Sequence, residues 1–108
     1  MGRRDLASLV DRIRLLLEQD AADPSVPVLT EMEHTLTDGY AEALGLEGER
    51  LRIERRIGEL AHGVESQEQA DQLRELAERL RSADDDLSSL REALQPLQRR
   101  VETARTVA

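Results

Sequence analysis

Two Glu-x-x-His pairs are the first candidates for chemistry in this 108-residue chain: Glu31 with His34, and Glu59 with His62. On a helix this spacing puts both side chains on one face, as in di-iron helical bundles. If one helix carries both pairs, about 42 Å separates them. A single chain cannot bring them together; only an antiparallel dimer of that helix could. Both pairs also fall on the outer face, away from the leucine stripe described below, whereas di-iron ligands project into a core. The helix macrodipole gives each a simpler reason: acids favour the N-terminus, where Glu31 falls, and cations favour the C-terminus, where His62 falls. With 14 Glu in the chain such pairs also arise readily. No metal site and no cofactor are expected.

The remaining reactive types are no better placed. Ser, His and Asp occur, but no strand-turn-helix elbow sets a nucleophile beside a base. The glycines lie inside a helical pattern, without the strand that precedes a phosphate-binding loop. The chain has no Cys, which excludes a disulfide scaffold, a thiol nucleophile and a Cys-ligated zinc site. It has one Tyr and no Phe or Trp, too few aromatics for a base-stacking platform or a deep apolar pocket. All 15 basic residues are Arg, against 23 acids, for a net charge of −8. Arg50, Arg52, Arg55 and Arg56 form the densest basic cluster, but Glu49, Glu54 and Glu59 interleave with it. The overall charge repels phosphate backbones. No catalytic residues and no nucleic-acid partner are expected. The chain is read as a non-enzyme.

The elements that position these residues are helices. Leu6, Leu9, Val10, Ile13, Leu16 and Leu17 recur at helical spacing and predict a first helix over about residues 5–19, capped by Asp5. Pro24 and Pro27 predict a loop, residues 23–28. Thr30 with Glu33 reads as a capping box that opens a second helix over about 30–62. Alternating steps of three and four then run through Leu29, Met32, Leu36, Gly39, Ala43, Leu46, Arg50, Ile53, Ile57, Leu60 and Val64. Gly63 falls where a left-handed residue would end this helix. Ser66 with Gln69 is a further capping box, opening a third helix over about 66–106. Its own three-four count gives Leu73, Leu76, Leu80, Ala83, Leu87, Leu90, Leu94, Leu97, Val101, Ala104 and Ala108.

A short cap-to-cap connection makes the two long helices antiparallel neighbours. Their seams then pair so that facing residue numbers add to 133, from Leu60 against Leu73 to Leu29 against Ala104. The fold class is therefore all-α: a long antiparallel coiled-coil hairpin (29–108) with an N-terminal amphipathic segment (1–22) packed near its open end. All 108 residues are read as one helical domain.

The exceptions in the seam carry information. Arg50 falls opposite the small Ala83. Around it Glu47 approaches Asp84 and Glu49 approaches Asp86, and Arg50 is the cation between these acids. Such a polar core position fixes register. Gly39 faces Leu94, which predicts close packing of the two backbones, and Pro96 predicts a bend in the third helix.

Tyr40, Leu44 and Leu51 are apolar but lie off the seam. Across the groove from Tyr40 lies Arg91, whose guanidinium could stack on the ring. These four are the candidate partner-binding residues. A two-helix hairpin buries only a narrow stripe, so something should cover this side. The first helix, folded back over the open end, is the simplest cover; another chain is the alternative.

On the third helix Asp84, Ser88, Arg91 and Gln95 line one polar flank at spacings of four, three and four. This pattern partly resembles that of the cyclic-di-GMP-binding anti-sigma hairpins of actinobacteria, with Asp84 in place of the leading Glu and Arg99 in place of the final Asp. The resemblance implies a second reading, in which those four residues hold a cyclic dinucleotide in a regulator of a sigma factor. The first reading is a protein–protein interaction or regulatory module that docks a helix, from itself or from another helical protein, on the apolar side of the hairpin. A homodimer is one such outcome. No apolar run approaches the roughly 18 residues of a membrane span, and nothing resembles a signal peptide, so no membrane partner and a cytoplasmic location are expected.

Overall fold

The computed structural model describes residues 3–19 and 25–107. It contains three helices: α1 (Arg3–Glu18), α2 (Val26–Ala61) and α3 (Gln67–Val107). The fold class is all-α, a helical hairpin with a short N-terminal helix, and no strand occurs among the described residues. The seam residues of α2 and α3 are buried or half-buried throughout, apart from Arg50 and Val64. Ala108, the last seam position, lies outside the described residues.

The helix ends follow local chemistry more closely than the capping motifs alone suggest. Helix α1 starts at Arg3, so Asp5 is a first-turn acid that meets the positive end of the helix dipole, not the cap. Helix α2 starts at Val26, four residues before Thr30: the amide of Leu29 already donates to the carbonyl of Ser25 at 2.9 Å. Pro27 is thus inside the first turn, where a missing N–H costs nothing and the fixed φ suits a helix. Residues 23 and 24 of the expected loop, Pro24 among them, lie outside the described residues. Glu33 is likewise helical, and its carboxylate takes a 2.6 Å hydrogen bond from Arg105 instead of closing a box with Thr30.

The turn between α2 and α3 behaves differently at its two sides. Gly63 does not adopt a left-handed conformation, since no described residue has positive φ. Its amide closes a four-residue turn on the Leu60 carbonyl at 3.5 Å instead. The start of α3 is a true N-cap. Ser66 Oγ accepts from the Gln69 amide at 3.2 Å, and Gln69 Oε1 reaches back to accept from the amide of Glu65 at 2.7 Å. Helix α3 runs unbroken through Pro96.

The chain forms two compact units. One joins Met1–Ala43 with Ser89–Ala108. Here α1 adds a third layer to the seam. Leu9, Ile13 and Leu16 of α1, Met32, Leu36 and Ala43 of α2, and Leu90, Leu94, Leu97 and Val101 of α3 are all buried. Ile13, Met32, Leu90 and Leu97 are fully enclosed, and burial of each stabilises the unit by about 1.5–3 kcal/mol. The other unit is Leu44–Ser88, a two-helix hairpin. Its only buried apolar residues are Ile53, Ala83 and Leu87. Leu46, Ile57, Leu60, Leu73, Leu76 and Leu80 are only half-buried. Two helices cover a narrow stripe, and the exposure of this seam is the direct consequence.

Candidate interaction faces

Helix α1 packs on a flank of α2 that is polar in sequence. Arg12 donates to Asp38 at 3.0 Å and to Thr35 Oγ1 at 3.2 Å, and lies 3.6 Å from Glu31. Thr35 is fully buried and Glu42 is 8% exposed. These residues recur at steps of four, three and four, which marks one face of a helix. Arg100 of α3 adds a hydrogen bond to the Gln19 carbonyl at 3.2 Å. The expectation that α1 covers Tyr40, Leu44 and Leu51 is therefore corrected. Those three occupy the other flank of α2 and remain 47%, 69% and 61% exposed. The physical reason lies in Arg12: one guanidinium satisfies two carboxylates and a buried hydroxyl only if α1 docks on the Glu31–Thr35–Asp38 side. A lone apolar stripe in the sequence does not register that preference.

Arg50 is where the seam arithmetic puts it. Its Nε lies 3.1 Å from Asp84 Oδ1 and 3.1 Å from Glu54 Oε1, so it bridges the acids of both helices. Ala83, the small residue expected opposite it, is 5% exposed. The guanidinium itself is exposed. It leaves the seam for the acid pair and keeps its hydration.

The two Glu-x-x-His pairs are engaged in surface ion pairs. Glu31 lies beside Arg12, Glu59 is 3.2 Å from Arg56, and both histidines are exposed. No cluster of three metal-ligating side chains occurs among the described residues. Of the polar quartet on α3, Asp84 is held by Arg50, while Ser88 and Gln95 are exposed. Arg91 is also exposed on α3 but is already engaged by a neighbour.

The hairpin unit carries a concavity that inspection of the basic cluster alone does not reveal. A groove of about 330 Å³ is lined by Glu49, Arg52, Ile53 and Arg56 of α2 and by Leu76 and Arg79 of α3. Arg79 is the member missing from the sequence reading. It sits far from Arg52 in sequence, and only the antiparallel pairing of Ile53 with Leu80 brings its turn of α3 alongside. The flanking positions of the two seams hold the signal that finds it.

No family model, curated protein or solved structure matches the chain. Among the described residues, no helix is long and apolar enough to cross a membrane.

Proposed function

We propose that the protein is a non-enzymatic coiled-coil interaction module, and that its docking face is the flank of α2 that carries Leu44 and Leu51. The observation that carries this reading is the exposure of those two leucines, 69% and 61%, on a flank of α2 away from the seam. Tyr40, half-exposed, lies one turn before Leu44 on the same helix. Exposed leucines at heptad spacing are the anchors of helix-in-groove docking.

The first occupant is a second copy of α2 running antiparallel. In that register Leu44 of each copy meets Leu51 of the other, twice about a two-fold axis. Gly48 lies at the axis, where a missing side chain lets two helices approach closely. Arg55 of one copy then faces Tyr40 of the other, a pairing of cation and ring. Glu47, also beside the axis, is already engaged by a neighbour within its own chain, which softens the approach of two like charges.

Because the chain has no Cys, cross-linking tests this register directly. Leu44 and Leu51 are about 10 Å apart along one helix and cannot bridge within a chain. The double variant Leu44→Cys/Leu51→Cys is expected to give a covalent dimer under mild oxidation, well above the yield of Leu44→Cys alone. Equal yields from the two variants, or none from either, would contradict the proposal.

A further inference from the structure

We infer that the groove between α2 and α3 in the hairpin unit is a binding site for a small phosphate monoester, of nucleoside monophosphate size and chemistry. Three arginines, Arg52, Arg56 and Arg79, line it beside one acidic residue, Glu49. With Glu59 balancing Arg56, the groove keeps a local excess of one positive charge in a chain of net charge −8. Arg56 is held by Glu59 at 3.2 Å. Arg52 and Arg79 have no ion-pair partner among the described residues. In an acidic protein, arginines usually find carboxylates. Two that line one concavity without any are available to an external anion.

The shape of the arginine head selects the anion. A planar fork of N–H donors matches two phosphate oxygens at once, and guanidiniums from both walls can hold a dianion between them. Ile53 and Leu76 also line the groove and offer an apolar surface between the charges. That surface suits a flat or apolar ligand body and would be wasted on an inorganic ion. Glu49 would repel a second phosphate but accepts a hydrogen bond from a hydroxyl or amino group on the body. The volume, about 330 Å³, falls at the lower end for small-molecule sites, which suits a monophosphate better than a larger dinucleotide. Leu44 and Leu51 are not among its lining residues, so the cross-linking test and the titration read different residues.

The test uses the full chain, labelled with nitrogen-15, and follows amide shifts during titration with adenosine monophosphate. Parallel titrations use adenosine and inorganic phosphate. Saturable shifts at Glu49, Ile53 and Leu76 are expected with the nucleotide. Adenosine and inorganic phosphate should each bind at least tenfold more weakly. Arg79→Gln and Arg52→Gln should each weaken nucleotide binding about tenfold while leaving helicity unchanged, since neither removes an internal ion pair. Arg14→Gln and Arg81→Gln remove the same charge from exposed positions outside the groove and should change affinity less than twofold. Equal losses from all four variants would reduce the effect to general charge attraction and overturn the inference. Inorganic phosphate binding as tightly as the nucleotide, or no saturable shift at millimolar nucleotide, would overturn it too.

Discussion

Gly39 and Leu94 meet so closely that a methyl group on Gly39 would collide with the Leu94 side chain, itself only 3% exposed. Gly45 and Gly58 on the same helix have open space where a methyl would go. The three glycines therefore separate two effects that a helix-propensity scale merges. Alanine removes backbone freedom from the unfolded chain at every site, worth about 0.5–1 kcal/mol. Only at Gly39 does it also overfill the core, at a cost of about 1–3 kcal/mol. Chemical denaturation should find Gly45→Ala and Gly58→Ala more stable than the wild type and Gly39→Ala less stable. A gain at Gly39 equal to that at Gly45 would show that the Leu94 side chain does not fill the space over Gly39. The sequence carries this contact in the seam pairing of positions 39 and 94. It does not distinguish the functional value of the other glycines, because open space leaves no trace in a heptad count.

At the scale of the element, the caps differ in a way that single substitutions can read. Ser66 Oγ holds the Gln69 amide, so Ser66→Ala should lower stability by about 0.5–2 kcal/mol. Thr30 lies inside α2 and is exposed, so Thr30→Ala should change stability by less than about 0.5 kcal/mol in thermal melts. A cap-sized loss at Thr30 would return the start of α2 to that residue. The two boxes look alike in sequence because each has the right residues three apart. What distinguishes them is upstream: Pro27 can sit in a first turn, and Ser25 can start a helix before it. Helix α1 was legible as a stripe, and its buried face, Leu9, Ile13 and Leu16, is part of the expected one. Its docking flank was not, because Thr35 and Glu42 read as surface residues until Arg12 and α1 cover them. Ile13 is fully buried, and Ile13→Ala should cost about 2–5 kcal/mol, with hydrogen exchange in α1 rising first. Unchanged exchange in α1 would mean that its packing contributes little.

The whole molecule joins a three-helix unit, with the larger share of buried leucines, to a two-helix unit whose seam is half-covered. The seams that define the hairpin were legible because a three-four period persists along both long helices, and pairing them needs only one register. The groove was not legible, since it depends on flanking arginines from distant segments. Neither was the exposure of Leu44 and Leu51, which lie in a unit of two helices that cover only a narrow stripe. That exposed face is the basis for assigning the protein to helix docking. The most direct test is its solution mass by light scattering across a hundredfold range of concentration, for the wild type and for Leu44→Asp/Leu51→Asp. The wild-type mass is expected to rise toward twice the 12.2 kDa of one chain, while the double variant stays folded and monomeric. A wild type that remains monomeric throughout, or a double variant that dimerises as well as the wild type, would contradict that assignment.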